Sequence, residues 1–375
     1  MYVERIQTLD ELTPLLAAWN ARTDQIPFRG SEWITAWASA YQPEQQLYLI
    51  GVFDKPPADP DRQLVGLAPL YREQSTSKGN VLKLLGSGEV CSDYMSLVCH
   101  PEGIEAVSSA VADFLIDHAS DQDHQWDLLE LENVESSDLA INRLVEKLWE
   151  QDSGVNRTPG VNCWRLQLPK TWEEFEATQS KSHRKQIRRF VRRVLDTERA
   201  ELQICDSSDK LDAAFEVLID LHMRRRNSLD QPGCFASSQF ETFLRDAASR
   251  MVDQGQCEIL QLNLDERPVA AEIHFIDGNI AYAYQAGVDP DRLDEQPGSL
   301  MQAAVIRHAI ERGFIAMDFL RGDEPYKAHW RAEPRECTNL RIVPNRTSSQ
   351  LRNGIWMAGS QMKNLIKTGM NLTGM

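Results

Sequence analysis

The stretch VAAEIHFIDGNIAYAYQAGV at positions 269–288 decides how the second half of the chain folds. Two apolar runs rich in β-branched and aromatic residues flank Asp277-Gly278, and this dipeptide between such runs is a strong hairpin signal. The pattern therefore predicts two antiparallel strands. Because side chains alternate across a strand, we expect Glu272 and His274 to share one face of the first strand.

Strands and helices alternate on both sides of this hairpin. Strands are predicted at 201–205, 257–265 and 314–320, and helices at 209–229, 237–253 and 299–312, the last ending at Gly313 as a helix C-cap. The N-terminal half shows the same coarse order. Helices are predicted there at 9–20, 31–40, 102–119 and 138–150, and strands at 47–53, 64–73, 94–98, 128–134 and 161–168. Alternation of this kind predicts an α/β (α+β) fold.

The length of the chain predicts more than one domain. At 375 residues it exceeds the roughly 250–300 residues at which a single core stops growing. We predict an N-terminal domain at 1–170, a basic connecting helix at 171–200, a C-terminal domain at 201–345 and an amphipathic tail at 346–375. The tail is expected to pack on its own protein or on a partner subunit, with a peripheral membrane contact as the alternative.

Composition and charge exclude several classes of protein. The formal net charge of −16 argues against a general nucleic-acid coat protein. Seven scattered cysteines without a CxxC pair argue against a structural metal site or a disulfide framework, and no metal is expected. The N-terminus lacks a secretory signal, and no apolar run approaches the length of a membrane span. We therefore expect a soluble, cytoplasmic protein.

The segment 171–198 carries a local basic patch. Seven lysines and arginines fall between Lys181 and Arg193, with an apolar stripe of Ile187, Val191, Val194 and Leu195 between them. This pattern predicts an amphipathic helix with a cationic face. The face could meet the phosphates of tRNA, a CoA phosphate, an anionic polymer or a lipid head group. A solvated helix over a domain junction is an equally good interpretation.

Three places could carry chemistry. Glu272 or His274 could accept a proton from an attacking amine or hydroxyl, although a solvated strand face would look the same. Pro297-Gly298-Ser299 opens a predicted helix, where free backbone N–H groups favour an anion, but a plain helix cap also fits. The segment from Asp318 to Trp330 places charged and aromatic residues just after an apolar strand, where α/β sites form. Tyr326 could protonate a leaving group there, and Lys327 or Arg321 could hold a phosphate or an oxyanion.

The segment DFLRGDEPYKAHW (318–330) resembles the closing motif of the CelD-type acyltransferases, a bacterial branch of the GNAT superfamily linked to exopolysaccharide synthesis. Further matching segments spread the resemblance over most of 1–345. They are Pro27-Phe28 with Ser31-Glu32-Trp33, Ser92-Asp93-Tyr94, Ser180-Lys181-Ser182-His183-Arg184-Lys185, and Gly287-Val288-Asp289-Pro290 followed by Pro297-Gly298. The resemblance implies two GNAT-like domains in tandem, similar to FemAB-type transferases, each with a mixed, mostly antiparallel twisted sheet flanked by helices.

The resemblance also implies a reaction. GNAT enzymes bind acyl-CoA at a splayed pair of strands and transfer the acyl group directly to an amine or hydroxyl. Acetyl-CoA or another acyl-CoA is the implied co-substrate, and a small molecule or saccharide the implied acceptor. The implied residues are catalytic Glu272, His274, Tyr326 and Lys327, the acyl-CoA cradle Val288, Pro297, Gly298, Ser299 and Leu300, and the substrate-binding Tyr284, Asp318, Arg321 and Asp323.

One departure from the GNAT pattern keeps alternatives open. GNAT members usually carry R/Q-x-x-G-x-G/A at the pyrophosphate loop, whereas this chain has only Gly298 there. A FemAB-type transferase that takes its acyl group from an aminoacyl-tRNA is one alternative. A non-catalytic accessory protein of exopolysaccharide synthesis is the other.

Overall fold

A computed structural model of the chain describes residues 1–23, 26–42 and 45–359. The strands are β1 (Tyr2–Ile6), β2 (Gln46–Leu47), β3 (Leu49–Phe53), β4 (Leu64–Ala68), β5 (Leu70–Ser75), β6 (Gly79–Leu84), β7 (Val98–Cys99), β8 (Leu128–Glu135), β9 (Gly154–Pro159), β10 (Cys163–Gln167), β11 (Ala200–Cys205), β12 (Cys257–Leu264), β13 (Arg267–Asp277), β14 (Ile280–Val288), β15 (Ala316–Arg321), β16 (Glu333–Arg335) and β17 (Cys337–Val343).

The α-helices are α1 (Leu9–Leu12), α2 (Leu16–Asn20), α3 (Ser31–Tyr41), α4 (Ile104–Asp117), α5 (Leu139–Glu150), α6 (Trp172–Thr178), α7 (Lys181–Phe190), α8 (Ser208–Asn227), α9 (Ser238–Val252), α10 (Pro297–Glu311) and α11 (Pro325–His329). Residues 347–359 are also helical. The mixed α/β class that the sequence predicted is confirmed.

The described chain divides into two compact units. One contains 1–23, the described residues of 41–160, and 337–359, and is called the first unit below. The other contains 26–40 and 161–336, and is called the second unit. These units depart from the predicted domain boundaries. The segment 161–170 was predicted to end the first domain, but β10 pairs with β15 and β16 in the second unit.

The second unit is built on one seven-stranded sheet in the order β11-β12-β13-β14-β15-β10-β16. Each neighbouring pair is antiparallel except β14 and β15, which run parallel. A hydrophobic core cluster packs against this sheet. Apolar residues of β12 and β13 pack there with residues of α7 and α10, including Ile187, Leu260, Ala270 and Leu300.

The first unit contains two sheets. Its strands form the orders β1-β3-β4-β7 and β2-β5-β6-β8-β17-β9, and again one pair, β6 and β8, runs parallel. Single residues, Tyr48 and Pro69, separate β2 from β3 and β4 from β5. In the six-stranded sheet the last strand but one, β17, comes from 337–343, outside the main run of chain of the first unit at 41–160.

Two further boundary corrections follow from these pairings. The segment 337–345 was predicted to belong to the second domain, but β17 pairs with β8 and β9 in the first unit. The basic segment was predicted to be a connector between domains, but α6 and α7 belong to the second unit and pack on α10. Contacts between residues far apart in sequence decide to which unit each of these segments belongs. Local sequence patterns do not encode such contacts.

Most predicted elements form, and the clearest exception is the strand predicted at 94–98. The run YMSLV was predicted to be a strand, but only Val98 within it is in a strand. Tyr94 adopts a positive φ of 60°, which breaks an extended run.

The first described part of the tail packs on the first unit, because Arg346 and Ser349 bond the buried carboxylate of Asp127. The rest of the tail, 360–375, lies outside the described residues.

A candidate acyl-transfer site in the second unit

Strands β14 and β15 pair along only a short part of their length. The parallel pairing joins Ile280 to Ala316 and ends at Tyr282 and Asp318. Strand β14 nevertheless continues to Val288, still paired with β13 on its other side. The two strands therefore separate beyond Tyr282. The edge of β14 from Ala283 to Val288 borders the resulting opening, which is called the cleft below.

A bulge in β14 lies at the start of this cleft. Ile273 pairs with Gln285 and His274 pairs with Ala283, so Tyr284 has no residue opposite it. Such a bulge bends the strand and re-aims a side chain. The Tyr284 ring packs 5.2 Å from the ring of Trp33, centroid to centroid, within a cluster that also contains Phe28, Phe240 and Phe275. Its predicted role in binding substrate stays a prediction.

Glu272 and His274 form a direct pair. The Glu272 Oε2 atom lies 2.8 Å from His274 Nε2, and both residues are buried. The other carboxylate oxygen accepts a 2.6 Å hydrogen bond from Gln302 on α10. The expected common face is thus present, and both carboxylate oxygens have donors that fix their orientation. The sequence pointed to neither Gln302 nor its contact, because α10 approaches β13 only in the folded chain.

A second buried carboxylate lies beside this pair. Glu258 is the cross-strand partner of His274 on β12. Burial opposes its ionisation, but a hydrogen bond from His308 and the charges of His274 and Arg312 outweigh that cost and lower the pKa of Glu258. Its Oε1 atom is buried without a hydrogen-bond partner. This row of polar side chains lies between the sheet and α10.

Tyr326 on α11 is electrostatically linked to Glu272. The residue is 43% exposed, yet the position of its hydroxyl raises its pKa, first through burial and then through the charges of Glu272 and Glu324. A raised pKa keeps the phenol protonated at neutral pH. Tyr326 can therefore serve as a proton donor, and its predicted catalytic role stays a prediction.

Lys327 has a different role from the predicted one. It is buried, and its ammonium donates to the backbone carbonyls of Leu320, Arg321 and Gly322 at 2.8–3.1 Å. Its fourth contact is the Glu324 carboxylate at 3.0 Å. An ammonium has only three N–H donors. Lys327 therefore clamps the chain that leaves β15, and its donors are not free to hold a phosphate or an oxyanion.

The predicted substrate residues on β15 and its loop also make internal contacts. Asp318 is fully buried and accepts from Arg165 Nε at 2.7 Å and from the backbone N–H of Leu320 at 2.8 Å. Asp323 accepts from the side chains of Asn162 and Trp164, both at 3.1 Å. These carboxylates position the end of the sheet. Arg321 accepts a hydrogen bond from Lys327 through its backbone carbonyl, and the residue is partly exposed. Its role in binding substrate stays a prediction.

The predicted acyl-CoA cradle is only partly accessible. Val288, Gly298 and Ser299 keep some exposure, whereas Leu300 is fully buried in the core and Pro297 is also buried. Leu300 therefore packs the helix and does not face a ligand. A side chain on Gly298 would meet only Val288 Cγ1, at 3.8 Å, so the first turn of α10 has open space beside it.

The loop before α10 is acidic and is held by arginines. Glu295 bonds Arg199 and Arg292, and Asp289 bonds Arg224 at 2.5 Å. Salt bridges of this kind neutralise the loop internally. They also leave those arginines engaged, so the loop offers less attraction for a pyrophosphate than a glycine-rich loop does.

Helix α7 brings positive charge to the start of α10. The Gln186 side chain bonds that of Gln296, the residue before α10, at 3.2 Å. Lys181, Lys185, Arg189 and Arg193 recur every four residues, all exposed, and form no ion pair among the described residues. Arg188 differs, since it pairs with Glu176 at 2.7 Å. The four-residue series is called the cationic row below.

The comparisons with known proteins agree with this geometry. Residues 181–328 match the family model described as an acetyltransferase (GNAT) domain. This part of the second unit is therefore similar to a GNAT-type acetyltransferase domain, and it is called the GNAT domain below. The cleft, the β14 bulge and the start of α10 all fall within the matched residues. Among curated protein sequences, none matches the chain.

Solved structures resemble the chain over nearly its whole length. FemX shares 13% identity over 94% of this chain and 99% of its own, with a TM-score of 0.61. A conserved protein from Bacteroides thetaiotaomicron shares 12% identity over 91% of this chain and 100% of its own, with a TM-score of 0.56. A third similar structure is the C-terminal DUF2156 domain of a protein from Agrobacterium fabrum described as a lysylphosphatidylglycerol synthetase. It shares 9% identity over 90% of this chain and 95% of its own, with a TM-score of 0.53. At these identities the likeness shows the fold alone, so the CelD-type resemblance stays a prediction.

The described residues hold no cluster of three or more His, Cys, Asp or Glu side chains that could bind a metal ion. Within the same residues, no helix is long and apolar enough to cross a membrane.

Proposed function

We propose that the GNAT domain transfers an acyl group from an acyl-CoA thioester directly to an amine or hydroxyl acceptor. The observation that carries this proposal is the separation of β14 from β15 beyond Tyr282 and Asp318. The separation exposes one edge of β14, whose backbone can bond the amide groups of an extended thioester donor. Glu272 lies on β13 directly opposite Ala286 of this edge.

The side chains support a direct transfer. Glu272 accepts the proton of the attacking amine or hydroxyl, with its carboxylate held by His274 and Gln302. The nucleophile bonds to the thioester carbon, and the bond from that carbon to the donor sulfur breaks. Tyr326 then donates its proton to the departing thiolate. We propose a saccharide or another cell-envelope precursor as the acceptor, on the strength of the CelD-type resemblance.

A thermal-shift screen with acetyl-CoA and longer acyl-CoAs tests the donor. We expect at least one of them to raise the melting temperature, because a ligand that binds only the native state stabilises it. Tyr326→Phe should retain the shift but lose turnover. Tyr2→Phe is the matched control, since Tyr2 is similarly exposed, at 46%, and lies in the first unit. Absence of stabilisation by every acyl-CoA would overturn the donor assignment.

The cationic row supports the second candidate, a FemAB-type transferase that uses an aminoacyl-tRNA. Neighbours in the row are four residues apart, which is about 6 Å along a helix. The test is salt-dependent binding of charged tRNA by a variant with Lys185→Glu and Arg189→Glu. Arg188→Glu is the control, because Arg188 already pairs with Glu176. Equal tRNA affinity in the double variant and the control would exclude the row as the contact.

A further inference from the structure

Cys234 lies in hydrogen-bond contact with the imidazole of His222. The thiol sulfur is 3.4 Å from His222 Nε2, and the backbone N–H of Cys234 lies 3.3 Å from the same nitrogen. Cys234 is partly exposed, whereas His222 is buried. A thiol and a base at this distance form the first half of a nucleophilic arrangement.

A third group sets the tautomer of the imidazole. His222 Nδ1 lies 2.9 Å from the carbonyl oxygen of Ala286, which can only accept a hydrogen bond. Nδ1 therefore carries the proton, and Nε2 is the unprotonated nitrogen, which accepts from the backbone N–H of Cys234 and has the thiol sulfur 3.4 Å away. Burial lowers the pKa of His222, with a smaller contribution from the charge of Arg226, so the imidazole is neutral and able to accept a proton. A nucleophile, a base and a group that orients the base are all present.

Close packing builds this arrangement into the fold. A Cβ atom at Gly233 would lie 2.4 Å from Met223 Sδ and 3.1 Å from His222 Cδ2. Glycine thus lets the loop before Cys234 approach His222. A Cβ atom at Gly287 would lie 2.3 Å from the backbone nitrogen of His222, so glycine also lets α8 approach β14. The two close approaches fix the thiol and the imidazole beside β14.

The other cysteines lack this environment. Cys91 is the other partly exposed cysteine, and its sulfur contacts the carbonyl oxygen of Gly88 at 3.1 Å. The remaining five are buried, and burial raises the pKa of Cys205 and of Cys257. A raised pKa and a buried position make a thiol unreactive. Cys91 therefore provides a control within the same protein.

We propose that Cys234 and His222 form a nucleophilic dyad beside the cleft, and that Cys234 accepts an acyl group from a thioester in a self-acylation that is separate from the direct transfer to the acceptor. The proposal rests on the proposed function for its donor, because Ala286 belongs to the edge of β14 that borders the cleft. His222 Nε2 takes the thiol proton as the sulfur of Cys234 attacks the thioester carbonyl carbon. The carbon–sulfur bond of the donor then breaks, and His222 returns the proton to the leaving thiolate. The products are S-acyl-Cys234 and the free donor thiol.

The first experiment uses p-nitrophenyl acetate, a small activated ester that does not need a CoA site. Peptide mass spectrometry follows the acetyl label at Cys234 and at Cys91 in the full chain. We expect Cys234 to be labelled about 10²-fold faster, the scale of general-base assistance. His222→Asn keeps an N–H donor near the position of Nδ1 but removes the nitrogen Nε2 that accepts the thiol proton. This variant should lower the labelling rate of Cys234 to that of Cys91. Equal rates in the wild-type protein, with the fold confirmed by its melting transition, would overturn the dyad.

The second experiment replaces the ester with acetyl-CoA and separates the two proposals. Labelling of Cys234 by both reagents supports the dyad and its donor. Labelling of Cys234 by the ester alone supports its role as a nucleophile but contradicts the step in which a thioester acylates it. If acyl-CoAs also give no thermal shift, this result counts against an acyl-CoA donor. A thermal shift without faster labelling of Cys234 by either reagent overturns the dyad and leaves the proposed function standing.

Discussion

The carboxylate of Glu272 lies 2.8 Å from the imidazole of His274 inside the second unit. With Gln302 bonded to its other oxygen, this carboxylate has a fixed direction in a buried setting. The pair lies on β13 opposite Ala286 and Ala283, which belong to the edge of β14 that borders the cleft, and Glu272 contributes to the electrostatic environment of Tyr326. A base held in this way fits proton transfer from an acceptor amine or hydroxyl.

Replacing Glu272 with glutamine should remove this base. We expect kcat for acyl transfer to fall by about 10²–10⁴-fold, the usual contribution of a general base, because an amide cannot take up the proton. Steady-state kinetics with the acyl donor found in the thermal-shift screen will measure the change. Glu266→Gln is the control, since Glu266 is an exposed carboxylate in the turn before β13. Unchanged kcat in Glu272→Gln would assign the proton transfer to another group.

Replacing Lys327 with methionine should destabilise the second unit. Three backbone carbonyls would lose their donor, and each buried acceptor left unsatisfied costs about 1–3 kcal/mol. We expect the free energy of unfolding to fall by about 3 kcal/mol in denaturant titrations. Lys185→Met, at an exposed site, should change it by less than about 0.5 kcal/mol. A catalytic defect in Lys327→Met without any loss of stability would restore the predicted catalytic role.

Arg165 and Asp318 should show strong energetic coupling. Replacing Arg165 with methionine removes the guanidinium that lies 2.7 Å from the fully buried carboxylate of Asp318, and breaking a buried ion pair in this way costs about 3–5 kcal/mol. Asp318→Asn in the same chain removes that charge and keeps an oxygen that can accept from Leu320. The double variant should therefore be more stable than Arg165→Met alone. Additive losses in a double-mutant cycle would show that the pair contributes little.

His183 should make stability depend on pH. Burial lowers its pKa to about 4, with help from the charges of His329 and Arg331, whereas the unfolded chain titrates near 6.5. The unfolded state therefore binds the proton first as the pH falls, and stability is lost between about pH 6.5 and pH 4. Solvent screening near this ring reduces the full value of about 1.4 kcal/mol per pKa unit, so the loss is on the order of 1–2 kcal/mol.

Denaturant unfolding of the wild-type chain and of His183→Gln across this window measures that contribution. The variant should show a shallower decline, because glutamine does not titrate. Gln keeps a polar group that can still meet Gln179, which contacts the imidazole at 3.1 Å. Parallel declines in the two proteins would show that other groups cause the acid sensitivity.

Local patterns predicted the parts of the site that depend on neighbours in sequence. Alternation along β13 correctly paired Glu272 with His274, and Asp277-Gly278 correctly predicted the hairpin turn. Local patterns did not predict that Lys327 is buried. The prediction that it could hold a phosphate or an oxyanion assumed an accessible ammonium group. Its burial depends on the path of the chain from Leu320 to Gly322, which no spacing of residue types encodes.

The amino-acid sequence by itself determined the alternating helices and strands, the hairpin at 269–288 and the concentration of charge after β15, because hydrophobic period and turn chemistry act locally. Tertiary structure decided which strands pair and which side chains stay accessible. Strand β10 joins β15, and His222 meets Cys234 and Ala286, through contacts between distant parts of the chain. Such contacts arise from packing and long-range pairing. The predicted segment from Asp318 to Trp330 thus became largely a structural clamp, with Tyr326 as its candidate catalytic residue.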